Sequence, residues 1–168
     1  MATVRQYLLP EIALFQSSVA FPQYKNTAGT NFPVTGLAFD ATTTERCYFR
    51  FSPMSYGSNN LTVTVEWYAD TATSGGVTWE TALAAITPNT DTQDIETKAF
   101  ATANTASDTH LGTTGQRLHS IDVTVSNLDS LAPNDWVILR LSRLPSDGSD
   151  TMTGDAILVG VGISYSDT

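Results

Sequence analysis

The nine residues LTVTVEWYA, Leu61 to Ala69, alternate without a break. Leu61, Val63, Val65, Trp67 and Ala69 fall on one side, and Thr62, Thr64, Glu66 and Tyr68 on the other. Successive side chains of a strand point to opposite faces, so this pattern predicts a strand with one dry face. The same period returns in RLHSIDVTV through His119, Ile121, Val123 and Val125. In WVILRLSRL it sets Val137, Leu139 and Leu141 against Trp136, Ile138, Arg140 and Ser142. In AILVGVGISY it places Ile157, Val159, Val161, Ile163 and Tyr165 opposite Gly160 and Gly162. Glycines on a strand face let another backbone or a second subunit approach closely.

Weaker strands are expected at 34–39 (VTGLAF), 46–53 (RCYFRFSP), 77–86 (VTWETALAAI) and 98–105 (KAFATANT). The segment 77–86 also carries a helix-compatible stretch at Ala82–Ile86, but Val77, Trp79, Thr81 and Leu83 alternate, which favours a strand. Turn-forming clusters such as YGSNN, SGG, PNTD, GTTG, APND and PSDGSD separate these segments. Eight strands joined by turns, with no strong helix, predict an all-β fold. The expected architecture is an eight-stranded antiparallel β-sandwich of jelly-roll type over residues 34–168.

Residues 1–33 follow another rule. They are rich in large apolar side chains, keep no sustained period and carry Pro10, Pro22 and Pro33. Proline favours extended, irregular paths, and so many apolar groups must be buried somewhere. The segment is expected to be an extended N-terminal arm. Either it lays an extra strand on the sandwich, or it packs on a neighbouring subunit through Leu8, Leu9, Ile12, Leu14 and Phe15.

Composition narrows the function classes. The chain has 168 residues, 41% hydrophobic, enough for one domain with its own core and no need of disulfide or metal. With 17 acidic against 8 basic residues, the net charge of −9 gives no basic footprint for nucleic acid. It also gives no attraction to anionic membranes, and no apolar run approaches the ~20 residues of a membrane span. The single cysteine, Cys47, alternates with Phe49 and Phe51 and reads as a buried thiol. No stretch has the features of a secretory signal, so synthesis in the cytoplasm is expected.

Catalytic patterns are sparse. There are two histidines, no G-x-S-x-G elbow, no H-E-x-x-H, no C-x-x-C and no phosphate loop. His119 starts an apolar face and reads as a core or subunit-contact residue, whereas His110 lies in a loop and is expected to be solvated. A glycosidase needs only two carboxylates at the right distance. Glu66, Glu80 and Asp122 are the candidates, each on an outward strand face. Trp67 and Trp79 share faces with aliphatic residues and read as core. Trp136 and Tyr68 are the aromatics that an exposed sugar platform would use.

The loop RLPSDGSDTMTGDA carries Asp147, Asp150 and Asp155. The spacing fails the calcium-loop pattern of acids at alternate positions with a closing Glu. A calcium site of another kind is one reading. The better one is a corner between two strong strands, with Asp and Ser accepting backbone N–H groups and Gly148 and Gly154 supplying positive φ. No catalytic residue, cofactor or metal is assigned.

From about Leu61 onward the chain resembles the jelly-roll virion proteins of tailed bacteriophages, the capsid decoration or cement proteins and related fibre heads. The resemblance rests on VEWYADTATSGGVTWETA and LRLSRLPSDGSDTMTGDAILVGVGISY. It implies a homotrimer on the outer surface of the virion that clamps the major capsid protein. Linked contacts of that kind raise binding by ~10²–10⁴-fold without any new interaction. The alternative is the receptor- or glycan-binding head of a phage tail fibre or spike.

Overall fold

The computed structural model describes residues 2–168. Ten strands run in the order β1 (Thr3–Leu8), β2 (Gln23–Thr27), β3 (Val34–Phe39), β4 (Arg46–Phe51), β5 (Leu61–Ala69), β6 (Gly76–Ile86), β7 (Asn104–Thr109), β8 (His119–Val125), β9 (Trp136–Arg143) and β10 (Ala156–Ser166). A 3-10 turn, Pro10–Ile12, follows β1. No helix among the described residues is long and apolar enough to cross a membrane.

The strands form two antiparallel sheets, a β-sandwich of jelly-roll type. The first has the order β2-β3-β10-β5-β8, and the second β4-β9-β6-β7. Eight strands come from residues 34–168 and two from the leading segment. β3 pairs with the first half of β10, at Ala156 to Leu158, and β1 occupies the same side of β10 further on, from Val161 to Ser166. β1 alternates after all: Thr3, Arg5 and Tyr7 face outward, while Val4 and Leu8 pack against the core. From there the chain crosses the side of the sandwich. Leu14 and Tyr48 exchange backbone hydrogen bonds of 2.8 and 3.0 Å, so the arm covers the free edge of β4.

The core lies between the sheets. Leu37, Phe39, Leu61, Val63, Val65, Trp67, Val123, Val125 and Leu158 meet Cys47, Phe49, Trp79, Leu83, Val137, Leu139 and Leu141, all fully buried. Phe39 meets Trp79 edge-on, with centroids 5.2 Å apart. Burial in this apolar layer pushes the Cys47 thiol far up from its ordinary pKa.

Three sequence expectations are corrected. The seventh strand is Asn104–Thr109 rather than 98–105. Phe100 instead sits outside the sheets, 5.9 Å from Tyr48 and beneath Arg140. In β10, a bulge between Leu158 and Gly160 breaks the uniform alternation. Leu158, Val161, Ile163 and Tyr165 therefore point inward, while Ile157, still fully buried, turns to the other face and lies over Gly36. Gly148 and Gly154 do not have positive φ; that conformation falls to Gly29, Gly75 and Gly112.

Candidate functional site

The outward face of the first sheet carries a groove built from four strands. The wet side of β5 contributes Thr62, Thr64 and Glu66, and β8 contributes Asp122. β1 adds Arg5 and Tyr7, while β10 gives Gly162 and Ser164. Together they line a depression of about 480 Å³. Thr64 donates a 2.6 Å hydrogen bond to Asp122 across the β5–β8 pair. The Tyr7 hydroxyl donates to Glu66 and closes one end. Partial burial, together with the Glu66 carboxylate, pushes the Tyr7 phenol up to about 12. Gly160 makes this contact possible, since a Cβ there would lie 1.8 Å from the Tyr7 hydroxyl. The close approach expected at this glycine is thus made by a side chain of the leading segment.

Beyond Tyr7 and Glu66 the same face turns apolar. Tyr68 is next on the wet side of β5, and Val159, at the bulge, is next on β10. With Phe32, Val34, Leu118, Gln116 and the 27–30 turn they enclose about 680 Å³. The β2–β3 hairpin forms one wall. Gly29, at φ +64°, turns it so tightly that a Cβ would meet the Phe32 carbonyl oxygen at 2.2 Å. That turn leaves Phe32 69% exposed. The other wall is the loop before β8. Trp67 pairs with His119 in the β5–β8 register, so Leu118 sits beside Tyr68.

The structure distributes the expected site residues as follows. Leu8 is buried in the core, whereas Leu9, Ile12, Leu14 and Phe15 are exposed. Leu14 and Phe15 join Tyr48, Ile95, Phe100, Trp136 and Ile138 around a shallow depression on the outer face of the second sheet. Trp136 and Tyr68 therefore lie on opposite sides of the molecule and cannot share one ligand. Glu66 and Asp122 line the same groove. Glu80 is on the second sheet, 3.1 Å from Arg140.

Of the loop aspartates, Asp147 and Asp150 both accept from Thr78, whereas Asp155 lies by Asp40 and Asp70. Asp150 receives two hydrogen bonds from Arg143, of 2.8 and 3.0 Å. Asp147 accepts from the backbone N–H of Ser149 in a turn. Burial raises the pKa of Asp155, as do Asp40 and Asp70 nearby. Among the described residues, no three His, Cys, Asp or Glu side chains are arranged to hold a metal ion. His110 is 6% exposed rather than solvated, because its own loop wraps around the ring.

Sequence reasoning missed the groove because its walls come from segments far apart in the chain. Glu66 and Asp122 as candidate carboxylates, Tyr68 as a platform aromatic, and Gly160 and Gly162 hinted at it, but nothing in the sequence joined them. Phe32 fell within the apolar leading segment, and Arg5 and Leu118 carried no signal of their own.

No family model and no curated protein matches the chain. Among solved structures it is similar to a family 36 carbohydrate-binding module in complex with calcium and xylotriose. The identity is 11% over 94% of this chain and 98% of that one, with a TM-score of 0.49. A module characterised for specific mannan recognition shares 8% identity over 99% of each chain, with a TM-score of 0.47. A family 11 module from Clostridium thermocellum in complex with a mixed-linked tetrasaccharide shares 10% over 95% and 87%, at a TM-score of 0.46.

Proposed function

We propose that this chain is a non-catalytic saccharide-binding module whose ligand lies along the outer face of the first sheet. One observation carries the reading: an apolar depression floored by Tyr68 and Val159 and a polar one lined by Glu66, Asp122 and Arg5 lie on the same sheet face, on either side of the Tyr7–Glu66 contact. A pyranose has apolar C–H faces and a rim of hydroxyls. The first depression suits the faces and the second the hydroxyls, as in sites where a few placed polar groups orient a largely apolar contact. From Thr62 to Tyr68 the six residue steps of β5 span about 20 Å. That length suits several linked sugars.

Phe32→Ala tests the reading. Its ring is mostly exposed in the free protein, so the variant should fold normally. Losing one stacked aromatic should weaken binding by about tenfold or more. A glycan array followed by calorimetry measures this. If no saccharide binds the intact protein, or if Phe32→Ala binds as tightly, the groove is not the site.

A second reading is a decoration protein on the outer capsid surface, a homotrimer bound to the major capsid protein. It is supported by the exposed Leu14 and Phe15, which join Phe100, Trp136 and Ile138 on the outer face of the second sheet. It draws as well on the resemblance of residues 61–168 to phage virion proteins. Exposed apolar groups in one patch mark protein contacts. This reading expects a trimer by light scattering and a monomer for Leu14→Asp/Phe15→Asp. A monomeric parent protein would exclude it. Deleting residues 1–20 is a poor test, because it also removes β1, the groove residues Arg5 and Tyr7, and the core residue Leu8.

A further inference from the structure

The apolar wall of the groove is held by two histidines. His110 is enclosed by its own loop. Its Nδ1 accepts a 2.9 Å hydrogen bond from the N–H of Gly112, and its Nε2 lies 2.9 Å from the carbonyl oxygen of Gly115, to which it donates. Only an imidazole with a bare Nδ1 satisfies both partners. Five residues beyond Gly112, Arg117 donates to the carbonyl of Leu111 and tightens the same loop. Gln116 reaches across to the carbonyl of Asp70. Gln116 and Leu118 then project into the groove.

His119 lies directly beneath. Its ring stacks on Trp67 at 4.3 Å and is 4.8 Å from the ring of His110. It is 4% exposed, and its Nε2 has no hydrogen-bond partner among the described residues. The charged groups facing the pair are Asp108 on β7 and Arg117 on the loop. Asp108, 3.6 Å from Nδ1 of His119, also accepts from Trp67, and it favours a proton. Arg117 opposes one.

We propose that this pair makes the groove wall acid-sensitive: in mildly acidic solution the 110–118 loop opens and the apolar end of the groove releases its ligand. The release half of this statement rests on the saccharide reading; the loop opening does not. A proton on Nδ1 of His110 deletes the acceptor for Gly112. With protons on both rings, two cations stand within van der Waals reach of each other in a largely dry site. Burial, outweighing Asp108, lowers the pKa of His119 below its ordinary 6.5, with His110 and Arg117 acting in the same direction. The closed form therefore binds the proton less tightly than the open form. Its stability is complete above pH 6.5 and is lost as the pH falls below that value.

The test needs no ligand. Amide exchange and imidazole resonances are followed by NMR over about pH 8 to 5. The protection factor of the Gly112 amide should fall by about tenfold or more, in step with histidine protonation, while Val65 and Leu139 in the core stay protected. His110→Asn with His119→Gln should remove the transition. Constant Gly112 protection, or a transition that persists in the double variant, overturns the proposal. If the loop opens on schedule and no saccharide binds at any pH, the loop inference stands and the saccharide reading fails.

Discussion

Arg143→Met will cost about 3–5 kcal/mol of stability, because it strips a fully buried ion pair of one partner. The guanidinium has five N–H donors, and each has an acceptor. Nε and Nη2 reach Asp150 at 3.0 and 2.8 Å. Nη1 reaches the carbonyls of Phe39 and Gly154 at 3.2 and 2.9 Å, and Nη2 that of Met152 at 2.8 Å. One side chain thus ties the end of β3, the end of β9 and the whole 144–155 loop together. In many proteins a buried ion pair can be exchanged for apolar residues at little cost. Here the double variant Arg143→Met/Asp150→Leu should recover little, because three carbonyls and the N–H of Thr78, which Asp150 accepts at 3.0 Å, would stay unpaired. Urea denaturation of both variants measures this. A loss under about 1 kcal/mol for the single variant, below the range expected for a broken buried pair, would contradict the account.

The second large effect is at Trp67. Trp67→Ala removes a fully buried indole and should cost about 3–5 kcal/mol. A finer contrast separates packing from hydrogen bonding. The Trp67 N–H donates to Asp108 at 3.1 Å, whereas the N–H of Trp79 has no partner among the described residues. Trp67→Phe takes one donor from Asp108, which keeps the backbone N–H of Thr109, and Trp79→Phe leaves nothing unpaired. Trp67→Phe should therefore be more destabilising by about 1 kcal/mol or more, although both rings are equally buried. Thermal and urea unfolding decide it, and equal losses would show that the Asp108 contact contributes nothing. Trp67→Phe also changes the surface under His119, so it should shift the pH at which the 110–118 loop opens.

The sandwich was legible wherever apolar and polar residues alternated cleanly. β5 begins and ends where LTVTVEWYA does, and β6 formed despite its alanines. Cys47, Trp67 and Trp79 are core, as their alternation with Phe49, Val65 and Val77 implied. β7 was displaced because NTASDT is an edge strand with a single alanine to bury, while the more apolar KAF nearby packs on the outside of the second sheet. β1 was hidden by its interior glutamine: Gln6 donates to the carbonyl of Ser52 and to Tyr165, so its amide is satisfied on the inward side. The groove was illegible for a different reason. No local pattern encodes that Phe32, Tyr68, Gln116 and Val159 meet, since a turn, two strands and a loop must be placed first. Likewise Arg143 and Asp150 were both visible, but nothing in their spacing says that one completes the other.

β10 is the last of the ten strands in sequence and sits in the middle of the first sheet, paired with β5 on one side and with β3 and β1 on the other. During synthesis the β2–β3 and β5–β8 pairs can form first, but nothing joins them into one sheet, and β1 has no partner strand, until β10 arrives. Until residues 156–166 leave the ribosome, β3 and β5 present bare edges, and Leu37, Val63 and Val65 have lost a neighbouring strand. Folding must therefore follow translation of this region, and a nascent chain stalled before it is a target for chaperones and aggregation.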